Sequence, residues 1–144
     1  ILRSPVEVVI SLCKAEKISP YDALNLWIGS VFRAEWLSRP YSRNILTYYQ
    51  LLNRPQAIVD SLSLNWNPSL MESRLDQATS FLRPSLYRTK VDNVRESFVA
   101  TNPELTSLLV LAEQIFDCFQ YPTPDIALTS EKLKYQWLEI LADR

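Results

Sequence analysis

Apolar residues recur along this chain three and four positions apart, which is the spacing of one face of an amphipathic α-helix. A clear example lies between residues 19 and 38, where we expect Leu26, Phe32 and Leu37 to widen a buried stripe. The stripe itself is formed by Leu24, Trp27, Ile28 and Val31. Strict alternation of apolar and polar residues is absent, and so are Asn-Gly and Asp-Gly hairpin turns. The pattern therefore predicts an all-α protein.

Prolines mark where several of these helices begin. A Ser or Asn side chain accepts a hydrogen bond from a free N–H group of the first turn. Proline is tolerated at the first helical position because its missing N–H has no partner there. Glu7 lies three residues after Ser4, so we also expect a capping box at the first helix. Four prolines follow Ser or Asn in this way, at Ser4-Pro5, Ser19-Pro20, Asn67-Pro68 and Asn102-Pro103.

These boundaries predict six or seven helices packed as a single compact bundle, with residues 1–144 forming one helical domain. The helix after Pro103 is the most apolar, so we expect it to be buried on several sides. The sequence begins at Ile1, and the alternative stays open that this domain is the C-terminal part of a longer chain. A last helix is expected from about 130 to 142, with an inward face made of Leu133, Trp137, Leu138 and Leu141.

The glycine and the aromatic residues indicate how the helices pack. Gly29 is the single glycine and lies inside a helical pattern, where glycine costs about 1 kcal/mol relative to alanine. A close contact between two helices accounts for a glycine at such a position. Helical spacing also predicts that Trp27, Tyr48, Tyr49 and Trp137 belong to the core.

The chain lacks residue types that many enzymes need. It contains no histidine, one glycine and two cysteines, Cys13 and Cys118. Without histidine, Ser-His-Asp and Cys-His catalysis are excluded, and two distant cysteines cannot form the usual Cys/His zinc site. One glycine is too few for a Walker or dinucleotide-binding loop. We therefore expect a protein that is not an enzyme and has no cofactor, with both cysteines reduced and buried in an intracellular protein.

Hydropathy and charge bound the environment of the chain. No apolar run reaches the roughly 18 residues needed to span a bilayer, so we expect no membrane partner and a cytoplasmic location. Residues 1–95 carry 12 Lys/Arg and 8 Asp/Glu, whereas residues 96–144 carry 3 Lys/Arg and 8 Asp/Glu. This asymmetry indicates either a polar partner surface or ordinary variation of surface charge.

Paired carboxylates leave one enzymatic alternative open, a Mg²⁺-dependent helical hydrolase. Asp/Glu pairs four residues apart occur at four places, and each pair lies on one helical face. Two such pairs facing each other across a cleft would bind a metal ion. Glu113 and Asp117 are the first candidates because their helix is otherwise apolar. The other interpretation of these pairs is a solvated helix face, which is typical of exposed acids.

Arginine dominates two locally basic stretches, residues 33–54 and 74–95. Its planar guanidinium group binds phosphate and carboxylate in a bidentate manner and stacks on aromatic rings. One interpretation is a groove that contacts a nucleic-acid backbone. The other is a set of ion pairs with neighbouring helices or with a partner protein.

In length, helix content and lack of catalytic residues, the whole chain resembles the small, all-helical, non-catalytic subunits of type I CRISPR surveillance complexes, or the C-terminal helical domain of their large subunit. The resemblance implies packing against other protein subunits and contact with nucleic-acid backbone. The residues it offers for that contact are Arg33, Arg39, Arg43, Arg83, Arg88, Lys90 and Arg95.

The absence of site chemistry favours a broader hypothesis, a non-catalytic helical interaction module that binds protein partners within a larger assembly. Such a module should expose an apolar or aromatic patch of several hundred Å².

Overall fold

The computed structural model describes residues 1–41, 43–63, 93–121 and 125–143. These residues form seven α-helices, a short 3₁₀ turn at Pro103–Leu105, and no strand beyond one isolated bridge. The predicted all-α bundle is confirmed. None of the described helices is both long enough and apolar enough to cross a membrane. The helices are α1 (Pro5–Glu16), α2 (Pro20–Ser38), α3 (Tyr48–Asn53), α4 (Pro55–Ser63), α5 (Val94–Thr101), α6 (Thr106–Gln120) and α7 (Ile126–Ala142).

The Ser-Pro pairs place the starts of α1 and α2 correctly, but only one serine caps its helix. The Ser19 side chain accepts a hydrogen bond from the backbone N–H of Asp22 at 3.1 Å. Ser4 makes no such bond, so the capping box expected at Ser4 and Glu7 is wrong. Glu7 is buried instead, with a carboxylate oxygen 4.0 Å from the guanidinium of Arg3.

A capping box does form at the start of α3, where the helix does not begin with a proline. The Thr47 side chain accepts from the backbone N–H of Gln50 at 3.1 Å, and the Gln50 side chain accepts from the backbone N–H of Thr47 at 2.8 Å. The same segment pairs with the chain start: Leu2 donates to the carbonyl of Leu46 and accepts from the N–H of Tyr48, both at 2.7 Å. These bonds hold the start of α3 beside the N-terminal residues.

The two later Ser/Asn-Pro predictions fare differently. Pro103 opens a 3₁₀ turn, and the long helix α6 begins only at Thr106. Asn67-Pro68 lies outside the described residues. The last helix, α7, begins at Ile126, about one turn earlier than expected.

The core lies between α1, α2 and α6, which pack against one another. α6 also packs against α7, so the prediction that it is buried on several sides is confirmed. Removing this apolar surface from water is the main favourable term in such a fold. The most deeply buried apolar side chains are Val9, Ala23, Leu24, Ile28, Leu109, Ala112 and Ile115.

Trp137 attaches α7 to α2. Its ring atom Cη2 lies 3.3 Å from where a β-carbon on Gly29 would be, which confirms the predicted close contact at the glycine. Its Nε1 donates to the Asn25 side chain at 2.8 Å, and its ring centroid lies 5.9 Å from that of Phe32. Farther towards the C-terminal end of α2, Arg39 forms an ion pair with Glu131, which precedes Trp137 on α7. Residue numbers therefore increase along α2 in the direction in which they decrease along α7. The two helices therefore run antiparallel.

Several residues expected in the core lie at the surface. Leu26 and Leu37 are 56% and 59% exposed, and Leu138 is also exposed. Tyr49 is 62% exposed, whereas Trp27 is buried as expected and Tyr48 is half-buried. Helical periodicity shows which residues share a face, but the number of covered faces depends on neighbours. In the described part of the chain, α1, α6 and α7 leave one side of α2 uncovered.

Replacing Gly29 by leucine is expected to lower the free energy of unfolding by about 1–3 kcal/mol, because the new side chain has to displace the Trp137 ring. Ala34→Leu is a matched control on an exposed position of α2 and should change it by no more than about 0.5 kcal/mol. Urea denaturation followed by circular dichroism measures both. Equal stability of the two variants would show that Trp137 does not pack on Gly29.

Candidate functional site

Glu35 is a buried carboxylate in the last third of α2, and only 5% of the residue is exposed. Its Oε1 accepts hydrogen bonds from Arg39 Nε at 2.8 Å and from Arg43 Nη2 at 3.1 Å. Burial opposes ionisation, but the bonds and charges of the two arginines outweigh it, so the pKa of Glu35 lies below its ordinary value. The carboxylate is therefore held ionised by its neighbours.

This cluster joins α2 to two other segments. Arg43 Nη1 also donates to the backbone carbonyl of Glu35 at 2.7 Å, which fixes the segment before α3. Arg39 Nη2 donates to Glu131 on α7 at 2.8 Å, and the Ser130 hydroxyl lies 3.5 Å from the second oxygen of Glu35. The two glutamates raise the pKa of Arg39 through these hydrogen bonds. The cluster's main action is to position helices.

A cavity of about 460 Å³ lies beside this cluster, between the chain start, α2 and residues 43–45. Two serines line it, but the Ser30 hydroxyl donates to the carbonyl of Trp27 and the Ser38 hydroxyl to that of Glu35. Neither hydroxyl donates to a basic group, as an activated nucleophile would. Glu35, Arg43 and the two serines therefore hold the fold, whereas the buried Nε of Arg3, which also lines the cavity, has no hydrogen-bond partner among the described residues. The apolar walls are formed by Val8, Trp27, Val31, Ile45 and Phe119.

Of the seven predicted nucleic-acid-binding residues, four are described. Arg39 and Arg43 are brought together, but around the carboxylate of Glu35. Arg95 donates two hydrogen bonds to Glu113, at 2.7 and 2.9 Å. Arg33 is exposed and forms no ion pair with a described residue. The remaining three lie outside the described residues: Arg83, Arg88 and Lys90.

The carboxylates named for a metal alternative are Glu113 and Asp117 on α6. Glu113 accepts both bonds from Arg95 of α5, so its charge is compensated, and this contact raises the pKa of Arg95. Asp117 is exposed. Within the described ranges, no group of three or more His, Cys, Asp or Glu residues is placed to hold a metal ion.

The two cysteines are free and half-buried. Burial raises the pKa of the Cys13 thiol, and burial together with the negative charge of Glu35 raises that of Cys118. Because the thiolate is the reactive form, both side chains are weak nucleophiles at neutral pH.

Exposed apolar side chains concentrate on the outer side of the α2–α7 pair. Trp36 and Leu37 lie ten and eleven residues after Leu26 on α2, about three helical turns, so they are on the same side of that helix. Tyr135 and Leu138 lie seven and ten residues after Leu128 on α7, about two and three turns. The Lys134 ammonium lies 5.8 Å from the centre of the Trp36 ring, so the two helix faces adjoin. All six side chains are 46–66% exposed. We call this surface the α2–α7 face; it consists of Leu26, Trp36 and Leu37 of α2 and Leu128, Tyr135 and Leu138 of α7.

The sequence analysis predicted neither the Glu35 cluster nor the α2–α7 face. The spacing of Glu35 and Arg39 is visible as an i, i+4 pair, but Arg43 and Ser130 come from other segments. The α2–α7 face was hidden because Leu26, Leu37 and Leu138 match the spacing of buried stripes.

The fold and this surface define an all-α bundle with an exposed apolar helix pair. Comparisons of the chain with known protein families, with curated proteins and with solved structures find no match.

Replacing Glu35 by glutamine is expected to lower the free energy of unfolding at pH 7 by about 2–3 kcal/mol, since it weakens two charged hydrogen bonds to a buried group. The depressed pKa means that this stabilisation is present above the ordinary carboxyl pKa and is lost as the pH falls through the folded value. The difference between wild type and variant should therefore shrink from about pH 5 downwards, as measured by urea denaturation across pH.

Glu113→Gln is the matched control, because its pair with Arg95 is more exposed. It should cost no more than about 1 kcal/mol. Equal losses for the two variants at pH 7, or a Glu35→Gln difference that stays constant with pH, would contradict the assigned role of Glu35.

Proposed function

We propose that this chain is a non-catalytic helical interaction module that docks through its α2–α7 face within a larger cytoplasmic assembly. The observation that carries the proposal is the set of six large apolar side chains that share this face while remaining about half exposed or more. Proteins that act alone rarely leave several large apolar side chains exposed on one face, whereas interaction sites often do.

The ion pairs of the described residues support the same role. Glu35, Arg39, Arg43 and Glu131 bond to one another, and Arg95 bonds to Glu113. Groups engaged in this way orient helices and are not poised towards a substrate. The apolar face, in contrast, is exposed to solvent.

A more specific form of the proposal is a small subunit of an RNA-guided CRISPR complex that contacts nucleic-acid backbone. The observation that favours it is the exposed Arg33 near Trp36, with Lys132 and Lys134 on the adjoining helix. Cationic and aromatic side chains together bind phosphates and stacked bases. Binding of single-stranded RNA that weakens with salt and with Arg33→Ala would support this form; no binding at low salt, alone or in the native complex, would remove it.

Tyr135→Ser should reduce binding of the chain to its native partner by about tenfold or more, because an aromatic side chain at an interface often contributes over 1 kcal/mol. Affinity purification of the tagged chain from the cells that make it, followed by titration with the purified partner, measures the effect. Tyr49→Ser is the matched control, since Tyr49 is similarly exposed but lies on α3. Equal binding by the two variants would contradict the proposal.

A further inference from the structure

The cavity beside the Glu35 cluster has the size and the walls of a small-molecule site. Its volume of about 460 Å³ lies within the range of about 300–1,000 Å³ that is typical of ligand pockets. Trp27 and Phe119 contribute aromatic side chains to the walls, and Val8, Val31 and Ile45 contribute half-buried aliphatic ones. Walls of this kind suit a ligand with an apolar body.

One polar group at this cavity lacks a partner. Arg3 lines the cavity, and its Nε–H is buried without a hydrogen-bond acceptor among the described residues. The guanidinium lies over the Tyr48 ring, 4.6 Å from the ring centre, and Nη2 lies 4.0 Å from a carboxylate oxygen of Glu7. The first contact covers a face of the group and the second is too long for a hydrogen bond. The Nε donor is therefore available to a ligand, and leaving it unpaired is costly.

A carboxylate is the acceptor that best matches an arginine. Its two oxygens accept a fork of two N–H groups, and hydrogen bonds between opposite charges are stronger than neutral ones. The charged side chains in the described lining are two bases, Arg3 and Arg43, and one acid, Glu35. Because Arg39 and Arg43 bond to Glu35, its negative charge is compensated and opposes a bound anion only weakly.

We propose that this cavity binds a small organic acid, whose carboxylate pairs with Arg3 and whose aliphatic or aromatic body contacts the apolar walls. The site is separate from the α2–α7 face and does not depend on the docking role of that face. The hydroxyls of Ser30 and Ser38 donate to backbone carbonyls, so they hold the fold while the acid is bound and not converted.

Octanoate and octanol test the proposal, because they share one chain length and differ in the charged group. Isothermal titration calorimetry of the wild-type chain should show that octanoate binds at least about tenfold more tightly than octanol. Proton–nitrogen correlation NMR locates the site through the indole N–H signals. The signal of Trp27, which donates to the Arg3 carbonyl at 3.2 Å, should shift with octanoate, whereas that of Trp36 on the α2–α7 face should not.

Arg3→Gln is expected to weaken octanoate binding at least about tenfold, since it removes a charged hydrogen bond, and to leave octanol binding unchanged. Arg33→Gln is the matched control, because Arg33 is an exposed arginine outside the described lining, and it should bind octanoate like wild type. Circular dichroism shows whether each variant is folded. The comparison of the two probes and the Trp27 shift need only the wild-type chain, so they decide the question even if Arg3→Gln does not fold.

Four results would overturn the proposal. They are no octanoate binding at millimolar concentration, equal affinity for the two probes, equal octanoate binding by wild type and a folded Arg3→Gln variant, and a shift confined to Trp36. The last result would place the probe on the α2–α7 face.

Discussion

The contact between Trp137 and Gly29 determines how the outer part of this molecule is arranged. Because Gly29 has no side chain, the indole ring packs directly on the α2 backbone, and its Nε1 bond to Asn25 fixes its orientation. The Glu35 cluster then secures the other end of the same helix pair through Arg39 and Glu131. A buried carboxylate is costly unless paired and hydrogen-bonded, so this cluster tolerates few alternative positions of α7. The shape of the α2–α7 face follows from these two attachments.

Local sequence signals predict well where the helices lie, but they predict poorly which side chains are exposed. Ser19-Pro20 predicts the start of α2 because the side chain and the proline ring act within one turn. Thr47 and Gln50 form a capping box that no proline marks, and Ser4 does not cap its helix. Whether an apolar stripe is buried depends on the segments that pack against it from elsewhere in the sequence. The periodicity of a single helix carries no information about those segments. Leu26 and Leu37 were misplaced for this reason.

The candidate site likewise combines features that the local sequence predicts with contacts that only the structure reveals. Gly29 alone signals a close helix contact, and the structure supplies Trp137 as its partner. The role of Glu35 depends on Arg43 and Ser130, which are 8 and 95 residues away in sequence.

Hydroxyl-radical footprinting of the associated chain tests most directly whether the α2–α7 face is the surface that docks. Trp36 and Tyr135 on the face can be compared with Tyr41 and Tyr49, which are similarly exposed elsewhere. The account predicts that oxidation of Trp36 and Tyr135 falls severalfold on association, while that of Tyr41 and Tyr49 is unchanged. Protection of Tyr41 or Tyr49 with unchanged labelling of Tyr135 would contradict it.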